Sequence, residues 1–193
     1  MDLEKVKTDI QKGTGVNALK TVRQSLLIEN TAELTRVAQF LKDSPEYRMD
    51  FLSSITAADY IDFFENVYHL YSVEKKQGPI TLRVRMKRDN PVCPSLVPLY
   101  RGAEFQERDN YDLFGITYEG HPDLRRIMMW DGFEGFPMRK DYVQEDSETL
   151  ESQDIEWLDS RGIKIPEAAR LKAAELKQAG KRAVAERKAE DKT

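Results

Sequence analysis

Cysteine and histidine are scarce in this chain of 193 residues, which has one cysteine, Cys93, and two histidines, His69 and His121. A single cysteine excludes a disulfide within the chain, and the lack of a disulfide framework is typical of a reducing, cytosolic setting. Zinc and iron–sulfur centres need several thiolate or imidazole ligands, which this chain does not offer. We therefore expect it to hold no such centre.

Long apolar runs and a strong net charge are also missing. No stretch approaches the roughly 18 apolar residues that a membrane span needs, and the first residues, MDLEK, are acidic where a secretory signal would be basic. The formal net charge is -4, so the chain as a whole is not drawn to nucleic acid or anionic lipid. We expect no nucleic-acid partner, and any work at a membrane would need another protein as the anchor.

Two stretches in the first 45 residues carry apolar residues at helical spacing. Asn30 and Glu33 resemble a capping box, and the apolar positions that follow predict an amphipathic helix ending before Pro45. These positions are Leu34, Val37, Ala38 and Leu41. Upstream, the apolar residues between Val16 and Leu27 predict a shorter helix or a mixture of helix and strand.

Residues 51–86 have the composition of strands. Residues 64–73, FENVYHLYSV, are rich in strand formers, and residues 80–86, ITLRVRM, alternate apolar with polar side chains. The joint between them, EKKQGP, favours a turn, so these two stretches predict an antiparallel hairpin with one buried face. Residues 51–57 predict a further strand.

A further helix is predicted from Ser95, an N-cap residue, to about Phe114, with Gly115 as its C-terminal stop. Pro98 is acceptable in the first turn of such a helix. Together, the helices and the hairpin predict an α+β fold, in which helices flank a small and mostly antiparallel sheet.

The composition changes after Tyr142. Residues 143–160 contain seven acidic side chains and no basic one, which is typical of a solvated linker. From Pro166 onward, eight basic and five acidic residues combine strong helix propensity with a thin apolar stripe of Ala168, Leu171 and Ala174. The predicted divisions are an N-terminal helical and loop segment (1–29), an α+β core domain (30–142), and an extended arm ending in a charged helix (143–193).

The glycines of GTGVNA, residues 13–18, have the spacing of a dinucleotide-binding turn. Such a turn follows a buried strand, whereas the preceding residues, LEKVKTDIQK, predict a charged helix. We therefore favour a flexible loop at this position.

The third predicted helix carries four carboxylates that could serve as paired acid and base: Glu104, Glu107, Asp109 and Asp112. They would lie beside one another and beside Arg108, and this mixture of charges favours ion pairing over a carboxyl group with a raised pKa. His121 precedes Pro122 in a predicted turn, where a lone histidine is more often structural. A stand-alone hydrolase that uses Glu107 with Asp112 or His121 is an alternative.

Residues 124–130, LRRIMMW, combine arginine, methionine and tryptophan, which are enriched in the buried centres of protein interfaces. The alternative is a core strand, which would send only alternate side chains outward. The next segment, GFEGFPMRKDY (residues 132–142), is apolar for a loop, so we expect it to be covered.

Taken together, ERDNYDLFGITYEGHPDLRRIMMW (residues 107–130) and GFPMRKDY (residues 135–142) resemble the signature of the C subunit of the proton-pumping NADH:quinone oxidoreductase, respiratory complex I, the NADH dehydrogenase 30 kDa subunit family. The resemblance extends less specifically upstream and covers residues 30–142. The positions in register with the family motif are Glu107, Arg108, Asp112, Leu113, Phe114, His121, Arg125, Ile127 and Met128. Three residues depart from the pattern: Phe105, where tryptophan is frequent, Asp109, where glutamate stands, and Phe136, where histidine stands.

The resemblance implies a non-catalytic accessory subunit of the peripheral arm, in a complex that carries electrons from NADH to quinone and translocates protons. It implies no cofactor on this chain, with FMN, the iron–sulfur clusters and quinone held by partner subunits. The implied partners are chiefly the quinone-site D subunit, and also the B and I subunits, at the cytoplasmic face of the bacterial inner membrane. Equivalent subunits of ferredoxin- or coenzyme-linked dehydrogenases and of membrane hydrogenases are an open alternative.

We expect the segment from Glu107 to Tyr142 to form the interface, with its arginines pairing carboxylates of a partner. Reversing the charges of Arg125 and Arg126 should then weaken association by about 2 to 5 kcal/mol. The C-terminal arm should become ordered mainly on neighbouring subunits. The predicted signature and interface residues are Glu107, Arg108, Asp109, Tyr111, Asp112, Phe114, Gly115, His121, Asp123, Arg125, Arg126, Arg139 and Lys140.

Overall fold

The structure is a computed structural model that describes residues 2–142 and 152–162 and, beyond these, Glu167, Arg170, Leu171, residues 173–175, Lys177 and Gln178. The chain divides into two compact units, Met1–Trp130 with Met138–Lys140 and Asp131–Pro137 with Asp141–Thr193. Among the described residues, no helix combines the length and the apolar character that crossing a bilayer requires.

Five strands of the first unit form one sheet: β1 (Leu19–Val22), β2 (Ser25–Ile28), β3 (Phe51–Tyr60), β4 (Phe63–Ser72) and β5 (Gln77–Lys87). Their spatial order is β1-β2-β5-β4-β3. Neighbouring strands are antiparallel except β2 and β5, which are parallel. The sheet is mostly antiparallel and helices flank it, so the predicted α+β fold class is confirmed.

The predicted hairpin consists of β4 and β5, and its register pairs Tyr68 with Leu82. The apolar side chains of β5 predicted to face the core are buried: Ile80, Leu82, Val84 and Met86. The strand predicted for residues 51–57 is also present, as β3, which is longer at its C-terminal end and pairs with β4.

The predicted amphipathic helix is α2 (Leu34–Asp43), which follows a short 3₁₀ helix (Thr31–Glu33). Asn30 caps the 3₁₀ turn, since its side chain accepts a hydrogen bond from the N–H group of Ala32 at 3.2 Å. All four apolar residues predicted for the inner face are fully buried, and the helix ends before Pro45. The helical spacing in the sequence therefore identified the buried face correctly.

The first 29 residues belong to the same core. The helix α1 (Leu3–Thr14) buries Val6 and Ile10, while Val16–Leu27 holds the β1–β2 hairpin and no helix. The partly helical prediction for that stretch was wrong, because pairing of β2 with β5 outweighs local spacing. The core domain was predicted to start at residue 30, whereas β1 and β2 complete its sheet.

The GTGVNA stretch lies at the C-terminal end of α1. Gly15 has a φ of 73°, and its N–H group donates to the carbonyl oxygen of Gln11 at 2.9 Å, which ends the helix. A Cβ on Gly13 would lie 2.2 Å from the Phe40 ring, so close packing of α1 on α2 requires a glycine there. This helix end presents carbonyl groups, not the N–H groups that bind a pyrophosphate. The expected flexible loop is instead partly helix.

The helix predicted from Ser95 begins later, as α3 (Ala103–Phe114), between β6 (Val92–Pro94) and β7 (Thr117–Glu119), which pair in parallel. Ser95 accepts a hydrogen bond from the N–H group of Val97 at 3.2 Å, but the turn that it caps does not continue into α3. Its hydroxyl donates to a side chain of α3 instead, as described below. Gly115 ends α3 with a φ of 71°, as predicted.

The second unit contains α4 (Ser152–Ser160), so part of the predicted linker is helical. Residues 167–178 are helical wherever they are described, and they bury Ala173 while Leu171 is exposed. The predicted apolar stripe through Leu171 was therefore wrong. The rest of the predicted linker, residues 143–151, and the arm beyond Gln178 lie outside the described residues.

Candidate functional site

The buried face of α3 is charged rather than apolar. Asp112 and Glu107 are fully buried, and Arg108 is buried as well. A helix usually buries an apolar stripe, and charged groups are stable in a core only where hydrogen bonds or opposite charges compensate them. The partners of these three side chains therefore show what this face of α3 does.

Asp112 binds a loop of residues 121–130, which we call the 121–130 loop. Its Oδ2 atom accepts hydrogen bonds from the N–H groups of Ile127, Met128 and Met129 at 3.0, 2.7 and 2.8 Å. Its Oδ1 atom pairs with Arg126 Nη1 at 2.7 Å. Burial acts to raise the pKa of Asp112, but the three N–H groups and Arg126 outweigh it and hold the pKa below its ordinary value.

Arg108 binds the same loop from one helical turn earlier. Its Nε atom donates to the carbonyl oxygen of Arg125 at 3.1 Å, and its Nη2 atom donates to that of Arg126 at 3.4 Å. Its guanidinium also lies 5.6 Å from the centre of the Phe105 ring. Asp112 and Arg108 thus use opposite charges to bind the N–H and carbonyl groups of one loop.

The predicted pairing of arginines with a partner's carboxylates does not hold for Arg126, which pairs with Asp112 of its own chain. Arg125 is exposed and pairs with Asp123 at 2.8 Å. Reversing both arginines would therefore break a buried internal ion pair and would not isolate an effect on association.

Glu107 joins α3 to the segment that follows β6. Its carboxylate accepts hydrogen bonds from the Ser95 hydroxyl at 2.6 Å and from the Leu96 N–H group at 2.7 Å. Burial raises the pKa of Glu107 to about 7, although both hydrogen bonds oppose the rise. The expected ion pairing was therefore wrong at Glu107, whose described partners are uncharged.

These positions do not favour the hydrolase alternative, since Glu107 and Asp112 are fully buried and occupied by structural hydrogen bonds. Asp109 and Tyr111 are only partly buried on α3. Burial and the charge of Asp112 raise the pKa of Asp109. The carboxylates of α3 thus form no exposed acid and base pair.

His121 is part of the loop's structure, as the sequence indicated. Its Nδ1 atom accepts a hydrogen bond from the N–H group of Asp123 at 3.0 Å, and its Nε2 atom lies 3.0 Å from the carbonyl oxygen of Glu104. With Nδ1 as acceptor, Nε2 is the donor to Glu104. His121 therefore ties the start of the loop to the first turn of α3.

The loop held in this way exposes large apolar side chains. Met128 is 61% exposed and Phe105, on α3, is 63% exposed; Ile127 and Trp130 are also exposed. We call these four residues the Met128 surface. Residues 124–130 contain no strand, so the alternative of a core strand was wrong. Such a group of apolar side chains is typical of a surface that another protein covers.

Arg139 and Lys140 bind other residues of the first unit. Arg139 Nε donates to the carbonyl oxygen of Phe114 at 2.6 Å, and the guanidinium stacks on Phe64, 5.0 Å from its ring centre. The N–H group of Lys140 donates to Asp59 Oδ2 at 2.8 Å. Arg139 therefore places a cation at the C-terminus of α3, where the helix dipole favours it.

Several residues that support this region were not among the predicted site residues. Asp59 and Arg88 form an ion pair beside Lys140, and Asn66 donates to the Tyr118 hydroxyl at 2.8 Å inside the core. A usable signal existed for Asn66, a polar residue at a core-facing position of β4. For Ser95, as for Asp59, no local pattern indicates a partner that is distant in the sequence.

Metal binding finds no support in the described part of the chain, where no three histidine, cysteine or acidic residues come close enough to hold an ion. Cys93 is buried, and burial raises the pKa of its thiol to about 12. A thiol with so high a pKa is a poor nucleophile and a poor metal ligand at neutral pH.

The fold and the site have the features of a protein-binding domain, an α+β unit whose buried charges hold an apolar loop at the surface. A family model described as "Respiratory-chain NADH dehydrogenase, 30 Kd subunit" matches residues 28–148. This match covers more than half of the chain, so the chain belongs to that family, and the resemblance of the sequence is confirmed.

Known proteins agree with this assignment. Form 2 of the C subunit of NADH-quinone oxidoreductase from Rhizobium meliloti is 45% identical over 116 residues, which are 57% of this chain and 61% of the relative. The C subunit of the same oxidoreductase from Parvibaculum lavamentivorans is 37% identical over 142 residues, 66% of this chain and 70% of the relative. Against several such relatives, the chain spans about three fifths of their length.

A solved structure shares the fold. A chain of the membrane-bound sulfane sulfur reductase, an archaeal respiratory membrane complex, superposes with a TM-score of 0.55 at 26% identity. The superposition covers 72% of this chain and 85% of that chain.

Proposed function

We propose that this chain is a non-catalytic structural subunit of an NADH:quinone oxidoreductase and that it binds a neighbouring subunit through the Met128 surface. The observation that carries the proposal is the use of Asp112 and Arg108 to hold the 121–130 loop with its apolar side chains toward solvent. Membership of the 30 Kd subunit family supports the identity of the complex.

Buried charges are costly, so their use to fix a loop needs a reason. A loop ordered before binding loses less conformational entropy on association than a flexible one. Met128 is adaptable and Trp130 is large, which suits both to binding a protein surface. The arrangement therefore suits a preorganised protein interface.

The proposed partners are chiefly the quinone-site D subunit, and also the B and I subunits. In this proposal FMN, the iron–sulfur clusters and quinone are bound by partner subunits, and this chain binds no cofactor and no nucleic acid. It reaches the cytoplasmic face of the membrane only through the complex. The burial and internal use of Glu107 and Asp112 support the non-catalytic role.

A second candidate is the equivalent subunit of a related respiratory or hydrogenase complex. The shared fold with a chain of the sulfane sulfur reductase favours keeping it. The two candidates differ in the electron donor, so the activity that co-purifies with a tagged chain separates them.

Replacing Met128 with glutamate is expected to weaken association by about 2 kcal/mol or more, because a charge would be buried in the centre of the interface. The amount of NADH:quinone reductase activity captured from membranes with a tagged chain measures the effect. The backbone N–H group of Met128 is retained, so Asp112 keeps its hydrogen bond and the domain stays folded.

Met128→Leu is the matched control, since it keeps an apolar side chain of similar size and should leave capture unchanged. The thermal unfolding of both variants should match that of the unaltered chain. Equal capture of activity by the glutamate variant would count against the Met128 surface as the interface.

Removing residues 146–193 is expected to leave a soluble first unit and to weaken assembly. The described residues of the second unit expose Trp157 and Leu171, apolar side chains suited to a neighbouring subunit. Gentle affinity capture from membranes compares the truncated and full chains. If both retain the complex equally through repeated washes, the arm has no role in assembly.

A further inference from the structure

The sheet of the first unit has two faces, and only one of them forms the core. The core includes Phe64, Tyr68 and Leu70 of β4, which point inward. Side chains at alternate positions of the same strand, such as Phe63 and Val67, point to the opposite face and are only partly buried. In the described part of the first unit, none of the outward side chains of β4 belongs to the core cluster. We call this opposite side the outward face.

Apolar residues lie along the middle of the outward face. Phe63, Val67 and Tyr71 stand at every fourth position of β4 and therefore on one side of the strand. The span from Phe63 to Tyr71 is about 26 Å at about 3.3 Å per residue. A helix of about 17 residues has the same length at about 1.5 Å per residue.

The two sides of this apolar line differ. On β3, the neighbours of His69, Val67 and Glu65 are small side chains, in that order Ser54, Thr56 and Ala58. On β5, the neighbours of Val67, Glu65 and Phe63 are cationic: Arg83, Arg85 and Lys87. A partner can therefore approach closely over β3 and meets positive charge over β5.

The positive charge on β5 is only partly balanced within the face. Glu65 accepts hydrogen bonds from Arg83 at 2.8 Å and from Arg85 at 3.0 Å, so one carboxylate serves two guanidinium groups. Arg85 remains 47% exposed and stacks on Phe63, 4.6 Å from its ring centre. Lys87 follows on the same side and is exposed. The β5 side of the face thus has an excess of positive charge, although the chain has a net charge of -4.

A helix fits this face better than a strand does. β4 is paired with β3 on one side and with β5 on the other, so an incoming strand could not extend the sheet over its middle. Helices cover the faces of sheets by placing an apolar stripe on them. The excess of cations along one side then selects for acidic residues on the matching side of the helix.

We propose that the outward face binds an amphipathic helix of a neighbouring subunit, with its apolar stripe over Phe63, Val67 and Tyr71 and acidic residues facing Arg85 and Lys87. This second docking surface is distinct from the Met128 surface. It rests on the proposed function, since it requires the chain to be part of an assembly.

Photo-crosslinking in the assembled complex tests the proposal. A benzophenone amino acid replaces Thr56, which is small and exposed on the outward face, in the full chain expressed in cells. A second strain carries the same group at Met128. After irradiation, the membrane complex is isolated and the cross-linked peptides are identified by mass spectrometry. We expect position 56 to cross-link to a helical segment with several glutamate or aspartate residues on one side.

The two positions separate the two proposals. Cross-links at position 128 with none at position 56, or cross-links at position 56 to a basic or extended segment, would overturn the outward-face proposal alone. Cross-links at neither position, with no co-purifying respiratory activity, would overturn both proposals.

A charge reversal provides the second measurement. Lys87→Glu should lower the cross-link yield at position 56 about twofold to tenfold, as expected for the loss of one exposed ion pair and the gain of a repulsion. Lys87→Arg should keep the yield, and so should Lys12→Glu, which makes the same charge change on α1 away from this face. Equal yields for all three variants would show that charge does not select the partner.

Discussion

Replacement of Asp112 by asparagine is expected to lower the free energy of unfolding by about 3 to 5 kcal/mol, the usual cost of breaking a buried ion pair. The change keeps the size of the side chain but removes the charge that offsets Arg126. It also weakens the three bonds to N–H groups of the 121–130 loop, because charge-assisted hydrogen bonds are the stronger kind. The effect should be among the largest of any single substitution on α3.

Urea unfolding measures the loss of stability, and amide hydrogen exchange shows its location. The N–H groups of Ile127, Met128 and Met129 should lose protection first, because they donate to Asp112. Asp109→Asn is the control, since Asp109 lies on the same helix and is only partly buried. Unchanged protection of the three amides in the Asp112 variant would mean that Asp112 does not hold the loop.

Loss of the loop should also lower affinity for the complex. Binding would then include the entropic cost of ordering the loop, which Asp112 and Arg108 remove in the unaltered chain. The Met128→Glu variant changes the surface and keeps the fold, whereas the Asp112→Asn variant changes the support and keeps the surface. Reduced capture of the complex by both variants is the result expected from a preorganised interface.

Stability of the first unit should fall as the pH rises toward about 8, because Glu107 is buried without a described charged partner. Its pKa in the folded chain is about 7, above the ordinary value of 4.5. The folded state therefore favours the protonated form. The stabilisation is complete below about pH 4.5 and is lost as the pH rises through about 7. The full change amounts to at most about 3 kcal/mol, since each pKa unit corresponds to about 1.4 kcal/mol.

Glu107→Gln should abolish this pH dependence. Glutamine keeps the shape and the hydrogen-bonding groups of the protonated acid but does not ionise. Unfolding free energies measured at about pH 5 and about pH 8 should therefore shift in favour of the variant by up to about 3 kcal/mol at the higher pH. Glu104→Gln, on the same helix and partly exposed, is the control. A slope that persists in the Glu107 variant would assign it to other groups.

Local patterns in the sequence identified much of the fold. The apolar spacing of α2, the alternation along β5 and the glycine that ends α3 all depend on neighbours within a few residues, and all three predictions were confirmed. The predicted start of α3, Ser95, was wrong, since the helix begins at Ala103 and a distant carboxylate, Glu107, binds the Ser95 hydroxyl. Contacts of this kind have no local signal.

The candidate site was predictable in its position but not in its workings. Arginine, methionine and tryptophan in residues 124–130 indicated an interface, and the family signature marked the same segment. The sequence did not show that Arg126 and Arg108 point back to α3 or that Asp112 binds three successive amides. Charged residues in a signature are equally compatible with binding a partner and with supporting the fold.

Residue order alone was enough to assign this chain to the family, to the α+β class, and to a segment rich in apolar and cationic residues, since composition and short-range spacing carry that information. The three-dimensional fold decided the role of each residue: Asp112, Arg108 and Glu107 lie in the interior, and Met128 and Phe105 lie at the surface. The reason is physical, because burial and the partners available across long sequence separations determine whether a charge supports the fold or faces another protein.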